Sequence, residues 1–150
     1  MAVFAASFNS EVLAFFWAFS LLVLPWSTAF FLLVFLIPTV TVLIVVGLKK
    51  VIGRDRPISY LPRTEALIFN FREKEQNKSM PSGDSAQAAA FWGFMTLNLQ
   101  VPWYIAGLLI GLTMNARVYF MCHFPTDTIL GTAIGLLVAY LLDYSVKLVV

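Results

Sequence analysis

Three short polar clusters interrupt an otherwise apolar chain: Lys49 with Arg56-Pro57, then Pro81-Ser82-Gly83-Asp84, then Arg117 with His123 and Asp127. Each stands at the edge of a hydrophobic run, where an ionisable side chain is costly unless it finds a partner. Lys49 offers a point charge, and Arg56 and Arg117 offer planar forks suited to bidentate contact with an oxyanion. Ser82-Gly83 falls where a helix is expected to start, and free N–H groups with the helix dipole favour an anion there. Taken alone, that segment is also what an ordinary helix N-terminus looks like. His123 and Asp127 are four positions apart, so at the start of a helix they share a face. The carboxylate can then orient one imidazole nitrogen and leave the other to attack phosphorus. Cations, a helix start and a His–Asp pair are the equipment for handling a phosphate.

The elements that must position these residues follow from hydropathy. Of 150 residues, 60% are hydrophobic and 12% charged, and no charged residue occurs from Val12 to Leu48. A membrane span needs about 20 apolar residues. The chain is therefore expected to be an integral membrane protein, a single domain over 1–150, folded as an all-α bundle of about five transmembrane helices. Pro25-Trp26-Ser27-Thr28 is the best break in the first apolar stretch, because proline cannot continue a helix cheaply and Ser or Thr can cap the next one. The first helix is then expected roughly over Phe4–Leu24, as a retained anchor, and the second over Thr28–Lys50, with Pro38 kinking it rather than ending it. Residues 51–80 read as a polar connection. A third helix is expected from about Pro81 to Gln100, a fourth from Trp103 to Tyr119, and a fifth from Pro125 to about Leu142. Gly107/Gly111 and Gly131/Gly135 are small-xxx-small pairs suited to close helix contact in lipid.

Hairpin topology brings the clusters together. The second helix ends at the first cluster, the third begins at the second, and the fourth returns Arg117 to the same face, where His123 and Asp127 open the fifth. The opposite face carries only Asp143 and Lys147, spaced as a solvated i,i+4 pair. Nine of the ten Lys and Arg lie between Lys49 and Arg117, which places that face on the cytosolic or matrix side by the positive-inside rule. A net charge of +2 is too small to point to nucleic acid. The lone Cys122 excludes an internal disulfide and a multi-cysteine metal site. A thiol phosphatase needs an arginine six positions after its cysteine, and Thr128 is there instead, so Cys122 reads as a small embedded side chain.

With these residues in place, the chain resembles the type 2 phosphatidic acid phosphatase family, which shares its site with vanadium haloperoxidases. The family signatures are K-x6-R-P, P-S-G-H and S-R-x5-H-x3-D. Here they stand as Lys49-x6-Arg56-Pro57, Pro81-Ser82-Gly83-Asp84 and Ala116-Arg117-x5-His123-x3-Asp127. The resemblance covers about residues 40–130 and implies a bundle of about six membrane helices, one more than is read here, the missing one lying before the motifs. It implies a phosphoric monoester hydrolase acting on a phosphorylated lipid without a metal or other cofactor. By position, His123 would be the nucleophile that forms a phosphohistidine and Asp127 its orienting partner. Lys49, Arg56, Arg117 and the Ser82-Gly83 backbone would hold the phosphoryl oxygens.

Two departures matter. Ala116 replaces a serine, and Asp84 replaces the histidine that would protonate the leaving alcohol. An isolated Asp has a pKa of about 3.9 against about 6.5 for His, so Asp84 is a poor proton donor near neutrality. General acid catalysis is worth about 10²–10⁴ in rate. Alternatively, Asp84 pairs with Arg56 or Arg117 and fills the anion pocket from within. Two functions stay open: a lipid phosphate phosphatase, and a catalytically weak relative that binds membrane lipid or serves as an accessory subunit of a membrane complex.

Overall fold

The computed structural model describes residues 18–19, 27–57 and 77–149, and all regular structure among them is helical. We number the long helices α1 (Thr28–Ile52), α2 (Gly83–Leu99), α3 (Trp103–Tyr119) and α4 (Pro125–Val149). The expected first helix lies outside the described residues except for Ala18 and Phe19, both helical.

Each helix ends where its sequence dictates. Ser27 caps α1, its hydroxyl accepting the Phe30 N–H at 3.1 Å. At the other end Lys49 and Lys50 occupy the last turn, and Gly53 turns left-handed at φ 62° to donate its N–H to the Lys49 carbonyl. Pro38 sits inside α1 without ending it, as expected, and its carbonyl accepts Gln87 Nε2 at 3.0 Å. The start of α2 is capped by Ser82, whose hydroxyl accepts the Ser85 N–H, and its end by Gln100 in the left-handed region. Pro125 opens α4 at the one position where a missing N–H does no harm.

Helix α2 is the centre of the bundle. Every residue from Ser85 to Phe91 is buried, and Phe94 packs on Phe30 with ring centroids 5.2 Å apart. Leu33, Val34 and Ile37 of α1 and Ala139 of α4 close the same core. The approach of α4 to α2 is set by glycine. A Cβ on Gly131 would fall on the Ser82 carbonyl oxygen, and one on Gly135 on that of Ala86, so the expected close packing is realised here. The Gly107/Gly111 pair behaves otherwise: among the described residues, nothing lies within 4 Å of a Cβ at either.

Leu33–Ile52 and Pro125–Leu148 are long and apolar enough to cross a membrane, the first leaving Leu and Val and the second Ile and Leu side chains exposed along their length. The exposed aromatics Trp103, Tyr104, Tyr140 and Tyr144 gather at the end of the bundle away from the polar clusters, in the manner of an interfacial belt. Two sequence expectations fail at that end. α4 continues to Val149 rather than stopping near Leu142, and Asp143 is buried rather than solvated. Asn98 of α2 donates to Asp143 Oδ1 at 3.2 Å and Lys147 to Oδ2 at 3.0 Å. A carboxylate satisfied on both oxygens no longer opposes continuation of the helix.

Candidate active site

All three clusters meet at the end of the bundle where α1 and α3 finish and α2 and α4 begin. The link after α3 is wound around one carbonyl: the N–H groups of Cys122 and His123 both point at the Arg117 oxygen, at 3.1 and 3.3 Å. Met121 takes a left-handed conformation, φ 55°, to make this turn. The spacing between Arg117 and His123 is thereby a property of one tight loop. Asp127, in the first turn of α4, reaches back to accept the Phe124 N–H at 2.9 Å, in the way a capping box closes a helix start.

His123 is 2% exposed and sits among the cations. Its Nε2 faces Arg56 Nη1 at 3.3 Å. Arginine only donates, so Nε2 is the acceptor and the neutral ring carries its proton on Nδ1. Burial lowers its pKa from 6.5 to about 4; the nearby Asp127 carboxylate opposes the shift, while the positive charges of Arg56, Arg117 and Lys49 add to it. The imidazole is therefore unprotonated at neutral pH, as a nucleophile must be. Nδ1 lies 3.8 Å from Asp127 Oδ2, too far for a direct hydrogen bond.

Arg56 donates through Nη1 to the Cys122 carbonyl at 2.8 Å and through Nε to the Asn77 carbonyl at 2.8 Å. The Asn77 side-chain oxygen accepts from both Arg56 Nη2 and Lys49 Nζ, so one exposed amide bridges the two cations of the first cluster. Arg117, 1% exposed, pairs with Asp84 at 2.9 Å. That is the internal pairing the sequence allowed as an alternative. The Ser82 N–H donates to the Asp127 carbonyl at 2.9 Å, and its buried hydroxyl caps α2. The Ser82 amide is thus engaged in joining α2 to α4, and the first-turn amides of Gly83 and Asp84 precede the first bonds of the helix.

The PAP2 superfamily model matches residues 28–148, through every helix and every site residue just described. The chain belongs to the PAP2 superfamily. Its fold is similar to the crystal structure of the first transmembrane PAP2 type phosphatidylglycerolphosphate phosphatase from Bacillus subtilis. The TM-score is 0.71 at 24% identity, over 99% of this chain and 74% of that one. No curated protein sequence matches the chain. It is accordingly an integral membrane protein of the PAP2 type, all-helical among its described residues.

Within this PAP2 site, Lys49, Arg56, Arg117, His123, Asp127 and Asp84 converge as their spacing implied. Three further residues were not singled out from the sequence. Arg54, inside the gap between Lys49 and Arg56, donates to Asp127 Oδ1 at 3.0 Å and to Thr126 Oγ1 at 2.9 Å. Its guanidinium also lies 4.0 Å over the Phe124 ring. Ser79, completely buried, donates its hydroxyl to Asp127 Oδ2 and lies 3.4 Å from His123 Nδ1. Asn77 is the third. The Gly-Arg-x-Arg-Pro run and the polar Asn-Lys-Ser just before Pro81 were the signals available.

Proposed function

We propose that this chain is a lipid phosphate phosphatase that cleaves a phosphate monoester from a membrane lipid through a phosphohistidine at His123. The observation that carries this reading is the neutral His123 Nε2 lying against Arg56, with Lys49 and Arg117 close enough to depress its basicity. Charge supports it as well. Lys49, Arg54, Arg56 and Arg117 face Asp84 and Asp127 across the site, and four cations against two carboxylates leave the two positive charges that a phosphate dianion needs.

In the first step, Nε2 attacks phosphorus, the bond to the lipid oxygen breaks, and the alcohol leaves. Arg56, Lys49, Arg117 and the Gly83 N–H stabilise the charge that spreads over the phosphoryl oxygens. In the second, water displaces the imidazole and releases inorganic phosphate. Asp84, held against Arg117, is in its carboxylate form and has no proton to give, so the departing oxygen takes its proton from water and the first step is slow.

The same Asp84–Arg117 pair favours a second reading, a catalytically weak relative that binds lipid or supports a membrane complex. Phosphate release from a panel of phosphorylated lipids in mixed micelles, with His123→Ala as control, separates the two. Release abolished in the control supports the enzyme. No release from the native chain or from Asp84→His leaves the accessory role.

A further inference from the structure

We propose that Ser79 is a positioning residue for the nucleophile: its hydroxyl carries the hydrogen bond between His123 Nδ1 and Asp127 that this pair is too far apart to make directly. The inference rests on the reading of His123 as nucleophile for its kinetic consequence, but not for its geometry.

Donor and acceptor roles leave one arrangement. Asp127 Oδ2 is a carboxylate oxygen and can only accept, so the Ser79 hydroxyl proton points at it. The Ser79 oxygen therefore presents a lone pair to His123 Nδ1, 3.4 Å away, and receives the proton that Nδ1 must carry because Nε2 faces a donor-only arginine. The order is Nδ1–H to Ser79 Oγ, then Oγ–H to Asp127 Oδ2. At 3.8 Å the ring and the carboxylate are too far apart for a direct hydrogen bond. Asp127 is meanwhile fixed from its other side by Arg54 at 3.0 Å and from its own helix by the Phe124 N–H. Ser79 is itself fixed, because its N–H donates to the Arg54 carbonyl at 2.8 Å. The serine thus joins the first cluster to the third and holds the ring in the tautomer that exposes a lone pair on Nε2. When that nitrogen bonds phosphorus the ring becomes cationic, and the same two hydrogen bonds pass part of its charge to Asp127.

The chain has one histidine, so selective ¹⁵N-histidine labelling reports on this ring alone. In nanodiscs at pH 7 the native ring is expected to show a single neutral tautomer with the proton on Nδ1. Ser79→Ala removes the bridge. Ser79→Cys keeps the volume but supplies only a weak donor and acceptor, which covers the case in which alanine does not fold. Either folded variant should show a mixture of tautomers and a kcat at least about tenfold lower with KM retained, since a wrong tautomer can cost far more than that. A native ring protonated on Nε2, or a single Nδ1–H tautomer persisting in a folded variant, overturns the proposal. If the native chain releases no phosphate the proposed activity fails, and the tautomer measurement still decides the role of Ser79.

Discussion

At the position where a proton donor would serve the departing alcohol, Asp84 instead makes a 2.9 Å ion pair with Arg117. In the proposed reaction the carboxylate would have two effects that substitution can separate: it would supply no proton, and it would compete with phosphate for the guanidinium. Asp84→Asn relieves only the competition, so it should tighten binding of inorganic phosphate, read by competition against a lipid substrate, with little change in kcat. Asp84→His supplies the proton as well and should raise kcat by about 10²–10⁴. A kcat that stays unchanged in Asp84→His would remove the missing acid as a limit on the proposed reaction. His123 gives a second prediction. The folded protein holds the imidazole unprotonated down to about pH 4, whereas the unfolded chain protonates it near 6.5. Its contribution is fully present above pH 6.5 and is lost as the pH falls toward 4, up to about 3 kcal/mol. The imidazole resonances should titrate near pH 4 in the native protein, and His123→Gln should flatten the acid side of its stability profile. The sequence disclosed these residues because their types are expensive at the edge of a membrane and their spacing is fixed by helix ends. Arg54 and Ser79 were not legible in that way. Each acts on Asp127, which is 73 and 48 positions away in sequence, so no local spacing reports it.

Between elements, the decisive contact is that of α2 with α4, where backbone meets backbone. At Gly131 a methyl group would fall on the Ser82 carbonyl, and at Gly135 on that of Ala86, neither of which can move without shifting a helix. Gly131→Ala should therefore destabilise the protein by about 1–3 kcal/mol or more. It should also impair the site, because the displaced Ser82 N–H is the one bonded to the Asp127 carbonyl. Gly107→Ala meets nothing within 4 Å among the described residues and, by the better helix propensity of alanine, should leave the apparent Tm in detergent unchanged or slightly raised. Equal losses from both substitutions would contradict this packing. The sequence showed two identical glycine spacings and had no means to tell them apart, since the difference lies in which face of each helix meets a neighbour. The helix starts and stops were legible, through Ser27, Ser82, Pro125 and Gly53, because caps are local. The end of α4 was misplaced for the opposite reason: Asp143 looks like a charge leaving the membrane until Asn98, from another helix, is found beside it.

Among the described residues, the site and most of the exposed Trp and Tyr side chains lie at opposite ends, with Tyr119 the exception at the site end. Lys49, Arg56, Asp84, Arg117 and His123 gather at one, and exposed Trp103, Tyr104, Tyr140 and Tyr144 at the other. α2 and α3 have 17 residues each, about 26 Å of helix at 1.5 Å per residue, near the thickness of a hydrocarbon core. In the proposed reaction, a site at one bilayer surface would let a lipid present its phosphate to the cations while its chains stay in the membrane against the exposed Leu, Val and Ile of α1 and α4. By the positive-inside rule, the excess of Lys and Arg around that end leads us to propose that it faces the cytosolic or matrix side. Cysteine labelling tests both statements. In a Cys122→Ala background, Asp55→Cys places a thiol at the exposed rim of the site and Trp103→Cys places one at the exposed far end. A membrane-impermeant maleimide added to sealed, right-side-out vesicles should modify the cysteine at 103 and spare the one at 55, with the pattern reversed in inverted vesicles. Labelling of both positions from one side would break the hairpin topology on which the convergence of Lys49, Arg117 and His123 depends, and labelling with the opposite polarity would keep the site and turn it to the other face.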